Sequence, residues 1–141
     1  MARFRFRLQP LLHYREYRTE QAKHELARLA ADEHSLRAAF EQLRERMRAL
    51  EVHSDCTPAH QLQVLDAHRQ HLAEQISTLE CELEFLSIER ERAELRLVER
   101  MQEQDVLERL RQRRYEEYML EERRDEQRQL DDIAGRRHQA A

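Results

Sequence analysis

The chain has 141 residues, of which 38% are charged and 6% aromatic, with no tryptophan and a formal net charge of -4. That composition is short of the apolar bulk a globular enzyme of this size packs around, and it falls in the range of coiled coils and long helices. The mild negative charge gives no overall attraction to nucleic acid or to a membrane surface, and no apolar run approaches the roughly 20 residues of a membrane span.

Breakers of regular structure are scarce. There is one glycine, Gly135, and there are two prolines, Pro10 and Pro58. Glycine and proline are the strongest punctuators of helices, so the middle of the chain has a single soft spot, Val52–Pro58. The expected fold is all-α: two long helices forming an antiparallel coiled-coil hairpin, with the C-terminal helix longer and overhanging. The chain reads as one coiled-coil domain over 1–141. Its expected parts are a helix over about 10–51, a turn at 52–58, a helix over about 59–134 and a short tail at 135–141.

The N-terminal segment Arg3-Phe4-Arg5-Phe6-Arg7 alternates arginine with aromatic residues. It is arginine-rich, as transit peptides are, but it soon meets Glu16 and Glu20, so it is not read as a targeting signal. Its simplest reading is an unstructured tail; the sharper one is an anchor laid against the C-terminal helix or a partner. The first eighteen residues hold five arginines against Glu16 alone, a weak version of a membrane-surface signal. Pro10 suits the first turn of a helix, where its missing N–H costs nothing. Beyond it Leu8, Leu12, Ala22, Leu26, Leu29, Leu36, Phe40, Leu43, Met47 and Leu50 fall on one a/d seam, interrupted by Arg15, Thr19 and Glu33.

Thr57 before Pro58 is a helix start, a capping hydroxyl followed by proline at the first helical position. The second helix keeps heptad register through Leu62, Leu65, Leu72, Ile76, Leu79, Leu83, Leu86, Ala93 and Leu97, with Arg69 and Arg90 as exceptions. Gly135 is the expected stop. A turn centred between 51 and 58 pairs positions whose numbers sum to about 109, which sets Leu12 across from Leu97. The first helix then runs out near residue 101. About 30 residues of the second, roughly 45–50 Å, are left without a partner in their own chain. That overhang holds Arg113, Arg114, Tyr115, Tyr118, Met119, Arg123, Arg124, Gln127, Leu130 and Ile133, rich in the tyrosine and arginine that dominate interface hot spots. The plain alternative is a solvated helix end held by local ion pairs.

Charge is unevenly spread. Residues 1–51 carry 11 basic and 8 acidic groups, residues 52–110 carry 6 and 13, and residues 111–141 carry 8 of each. The acidic middle argues against nucleic-acid binding. Cys56 and Cys81 lie about 35 Å apart along a helix, too far for a disulfide. His53, Cys56 and His60 flank the turn, but their spacing matches no standard zinc site, so no metal is expected. Nor is a cofactor or a catalytic group: there is no glycine-rich phosphate loop, and acidic pairs such as Asp131-Asp132 read as solvated.

The two ends together resemble the FliJ family of flagellar export proteins. The start, Phe4-Arg5-Phe6-Arg7-Leu8-Gln9-Pro10-Leu11-Leu12 with Arg15 and Glu20, is similar to that family's opening. The end, Arg114-Tyr115 and then Glu122-Arg123-Arg124-Asp125-Glu126-Gln127-Arg128-Gln129-Leu130-Asp131-Asp132-Ile133-Ala134, is similar to its closing segment. Arg128 stands where the family has lysine and Asp132 where it has glutamate, both keeping charge.

The resemblance implies a non-catalytic central stalk of the flagellar type III export apparatus, cytoplasmic and peripheral at the inner face of the membrane through its partners. Those partners would be a hexameric FliI-like export ATPase, a FlhA-like export gate protein and export chaperones. The stalk would promote ring assembly and couple ATP hydrolysis to export. The ATPase-facing residues implied are Phe4, Phe6, Leu8, Leu11, Arg114, Tyr115, Arg124, Gln127, Leu130 and Asp131. The gate-facing residues implied are Phe40, Leu65, His68 and Leu72. The alternatives are the equivalent stalk of a virulence type III secretion system and a self-associating coiled-coil scaffold.

Overall fold

Long stretches without glycine or proline, filled with leucine, alanine, glutamate, glutamine and arginine, leave the backbone no reason to leave the α conformation. The structure, a computed structural model, describes residues 3–54 and 58–139. It contains two α-helices, α1 (Gln9–Ser54) and α2 (Leu62–Gln139), with a 3-10 turn at Ala59–Gln61 before the second. There are no strands among the described residues. The fold is a helical hairpin.

The start of α1 follows the expected chemistry. Pro10 sits in its first turn, and the helix is entered through Gln9 N–H to Phe6 O at 3.1 Å and Leu12 N–H to Leu8 O at 2.9 Å. Pro58 has φ -62° and ψ 148°, an extended conformation that proline favours, and its carbonyl accepts from Gln61 N–H at 2.9 Å. Thr57, the expected capping residue, lies outside the described residues, as does Cys56.

The other end departs from expectation. Gly135 does not stop α2, which runs on to Gln139. No glycine has a positive φ, and a Cβ at Gly135 would meet nothing within 4 Å. Without the left-handed conformation there is no glycine C-cap. Arg136, Arg137 and His138 instead occupy the last turn, where positive charge complements the helix dipole.

The chain divides into two compact units, one made of 1–19 with 99–141 and the other of 20–98. In the first, Leu12 is fully buried and Thr19 nearly so. In the second, Ala22, Leu72 and Ala93 form the buried apolar positions. Leu26, Leu29, Leu36, Phe40, Leu43, Met47 and Leu50 of α1 and Leu65, Ile76, Leu79, Leu83, Leu86 and Leu97 of α2 are half-buried along the same seam. The heptad rows therefore face inward as their spacing requires.

The residues that interrupt the rows are paired rather than wasted. In the first unit, Arg15 is ion-paired with Glu103. The Thr19 hydroxyl shares its one proton between Arg15 O at 3.0 Å and, more weakly, Arg100 O across the seam at 3.4 Å. In the second, Glu33 is 3% exposed; Arg90 Nη1 reaches its Oε2 at 3.3 Å and Arg37 Nη2 its Oε1 at 2.5 Å. Arg69 Nη2 lies 3.9 Å from Glu51 Oε1, a looser contact.

These pairs fix the register and correct the expected one. The numbers of facing residues sum to 118 and 119 for Arg15–Glu103 and Thr19–Arg100. They sum to 121, 123 and 120 for Glu25–Arg96, Glu33–Arg90 and Glu51–Arg69. The expected sum of about 109 was too low because α1 continues to Ser54 and α2 begins only at Leu62, moving the centre of the hairpin towards residue 60.

Glu33 and Arg90 make a direct test of what the seam rests on. Removing one partner leaves the other poorly compensated; Arg90 is 36% exposed on its side chain, so the cost lies between that of exposed and fully buried pairs. Glu33→Ala should lower stability by about 2 kcal/mol in thermal or urea unfolding. The double variant Glu33→Leu/Arg90→Leu should recover that loss, because an apolar a/d pair replaces the ion pair. Separately, Gly135→Ala should raise helicity by circular dichroism and stabilise by at most about 1 kcal/mol, as expected for a glycine in an ordinary helical conformation.

Candidate functional site

The residues that the N-terminal segment sends towards α2 make the most organised surface of the first unit. Residues 3–6 are non-helical and precede the turn that enters α1. Alternation then separates the side chains: Phe4 and Phe6 are half-buried while Arg3, Arg5 and Arg7 are exposed. Phe4 stacks edge-on against Tyr115, with ring centroids 5.3 Å apart, and lies 5.6 Å from Tyr118 at a tilt of 49°. Edge and tilted contacts at this distance are the favoured aromatic arrangements. The anchor reading of the segment is the one the geometry supports.

Around this anchor the first unit has shallow grooves. One is lined by Phe4, Phe6, Leu8, Leu110 and Arg114 with the intervening arginines; another reaches Pro10, His13 and Arg111. The surface is cationic. Among the described residues no ion pair engages Arg3, Arg5, Arg7, Arg111 or Arg113, whereas Arg114 Nη1 is 2.9 Å from Glu117 Oε2. Leu8, which lines the groove, and Leu11 are exposed, while Leu12, one residue on, is buried in the seam.

The Phe4 contacts also shorten the overhang. Tyr115 and Tyr118, which the expected register left beyond the end of α1, have Phe4 as their partner. Among the described residues, helix without an opposite segment starts near Met119 and runs to Gln139, roughly 30 Å. On it Leu120, Leu130 and Ile133 are exposed. Arg124 is exposed, and Gln127 Nε2 donates to Asp131 Oδ1 at 2.9 Å, one turn on. Phe4, Phe6, Leu8, Arg114 and Tyr115 are thus brought together, whereas Leu11 is exposed on the first turn of α1 without lining these grooves, and Arg124, Gln127, Leu130 and Asp131 lie further along α2. Leu110 and Arg111, which wall the grooves, were not singled out from sequence; the correct register would have found them opposite residues 7–9.

The second set of expected residues is arranged differently. Leu72 is buried and Leu65 half-buried in the seam of the second unit, and His68 is exposed. Phe40 is half-buried, with the Arg44 guanidinium 5.6 Å from its ring centroid. By the observed register Phe40 stands level with residue 80, about 12 residues or roughly 18 Å from the level of His68. The four form a strip along the seam rather than a cluster, and Leu72 is available only as packing.

No helix among the described residues is long and apolar enough to cross a membrane. Of the two cysteines, Cys81 is a free, exposed thiol.

The family described as Flagellar FliJ protein matches residues 4–141. Comparison with curated proteins and with solved structures returned no match.

Tyr118 reports on the anchor. Its hydroxyl donates to Glu122 Oε1 at 3.2 Å, and burial, the Glu122 hydrogen bond and the nearby negative charge all push its phenol above the ordinary value near 10. A raised phenol favours the folded state below the unfolded value, and that contribution fades as pH climbs through the folded one. Alkaline difference spectroscopy should show one tyrosine ionising later than the rest. Phe4→Ala and Glu122→Gln should each bring it back towards the others, the first by uncovering the ring and the second by removing the acceptor charge.

Proposed function

Because the chain belongs to the FliJ family, and so to the flagellar export machinery, we propose that it is the non-catalytic central stalk of the export ATPase complex. The observation that carries this reading is the end of the first unit. An arginine-flanked aromatic anchor lies next to a stretch of helix, 119–139, that has no opposite segment among the described residues and exposes Leu120, Leu130 and Ile133. An isolated helix of this polarity is marginal in water. Apolar residues at this spacing, with arginine and tyrosine around them, have the composition of an interface.

In this reading Phe4 and Tyr115 brace the end. Phe6, Leu8, Leu11, Arg114, Arg124, Gln127, Leu130 and Asp131 face a FliI-like ATPase hexamer, promoting ring assembly and raising hydrolysis. The protein supplies contacts and no chemistry. A FlhA-like gate protein would meet the second unit at the strip of Phe40, Leu65 and His68. Since Leu72 is buried, it would support that strip from behind. Export chaperones would be further partners, and the location would be the cytoplasmic face of the membrane.

Leu130→Glu and Ile133→Glu in the full chain test the reading. Both side chains are exposed, so thermal unfolding should hardly change. Stimulation of ATP hydrolysis and hexamer formation by the purified export ATPase should fall by about tenfold, the loss expected of a hot-spot residue. Undiminished stimulation by the double variant would refute the assignment of this end.

A further inference from the structure

The second unit carries a second heptad row, on the outside of α2. Cys81, Phe85, Ile88, Arg92 and Leu95 follow one another at steps of four, three, four and three, the spacing of a coiled-coil seam. The row lies outside the packed seam: Phe85, Ile88 and Leu95 are 63%, 44% and 66% exposed, against 3% for Leu72 and 1% for Ala93 on the packed face. Exposed apolar residues scattered singly need no explanation. A row at heptad spacing, about 21 Å long, has the geometry that another helix recognises.

Its flanks are acidic. Residues 70–89 include five glutamates and neither lysine nor arginine. Among the described residues, Glu80, Glu82, Glu84 and Glu91 take part in no ion pair, and Asp32 of α1 lines the groove beside Leu36, Cys81 and Phe85. The three nearby arginines of α2 are already engaged, Arg92 by Glu89 at 2.6 Å, Arg90 by the buried Glu33 and Arg96 by Glu25 at 2.8 Å. What remains on offer is a row that is apolar at every position but Arg92, whose charge Glu89 answers, between uncompensated carboxylates.

We propose that this face is a docking seam for a helix of a partner protein whose apolar heptad row is flanked by lysine and arginine. The spacing selects a helix and the charge selects its sign. A second copy presenting the same face would set carboxylates against carboxylates, and an anionic membrane or nucleic acid would be repelled. The seam shares no residue with the end assigned to the ATPase, so the two stand or fall separately.

Two synthetic helices of three heptads make the probe, with identical leucine seams and either lysine and arginine or glutamate at the flanking positions. They are titrated by fluorescence anisotropy into the full chain carrying Cys56→Ser. The basic helix should bind at least about tenfold more tightly than the acidic one, more weakly as salt is raised, and should slow alkylation of the Cys81 thiol. Phe85→Ser/Ile88→Ser should weaken it by about tenfold or more with unfolding unchanged, and Leu130→Ser should not. Equal affinity for the two helices, no binding of the basic one, or indifference to the double substitution would overturn the proposal. So would sedimentation showing a dimer of this chain that the double substitution dissolves.

Discussion

The contact that the second unit depends on most is polar. Glu33, 3% exposed, sits where a leucine would continue the α1 heptads, and Arg90 sits where a leucine would continue those of α2. Glu33 alone would be a buried charge without an answer, and Arg90 alone a half-exposed one. Together, with Arg37 on the other carboxylate oxygen, they satisfy one another at one register only. A one-heptad slip would return leucine to leucine almost everywhere and cost little apolar contact. It would also strand the carboxylate against aliphatic side chains. Polar seam positions are the device by which coiled coils choose register at some expense in stability. The pairing is incomplete: the buried Arg90 Nε has no hydrogen-bond partner, and Glu94 Oε1, at 3.7 Å, is too far to be one.

The first unit repeats the logic with Arg15 on Glu103 and Thr19 on the Arg100 carbonyl. Few side chains are fully buried, and most of the apolar seam is only half-covered. Leucines therefore supply adhesion along the length, and the sparse polar pairs decide which leucines meet.

That division explains what was legible in the sequence. Helix, seam and hairpin follow from spacing and from the scarcity of glycine and proline, both local properties. Arg15, Thr19, Glu33 and Arg90 stood out as interruptions, but their mates were hidden because pairing depends on register. Register depended on where the turn is centred, and α1 outlasts Val52 by two residues. An error of about ten in the sum of facing positions then placed Tyr115 and Tyr118 in the overhang, although both meet the Phe4 anchor. Gly135 misled for another reason: it is a helix stop only when it adopts a left-handed conformation, and composition does not say whether it will. Of the candidate site, the aromatic and arginine residues at the two ends were readable from their types. The burial of Leu72 was implicit in its seam position, and the outer row on α2 was masked by the stronger seam beside it.

The cross-helix pairs also have a kinetic side. Glu25 and Arg96 are 71 residues apart in sequence, and Arg15 and Glu103 are 88 apart. Closing such loops from an open chain is entropically slow, whereas closing them after nearer neighbours have met costs almost nothing more. Association that begins beside the turn and advances pair by pair is thus the least costly route, with Glu33–Arg90 as an early checkpoint on whether the zipper has started in step. The Phe4–Tyr115 contact is last in that order. It is correspondingly the first to come apart, so the end with the most exposed arginine is also the end whose closure is most easily undone.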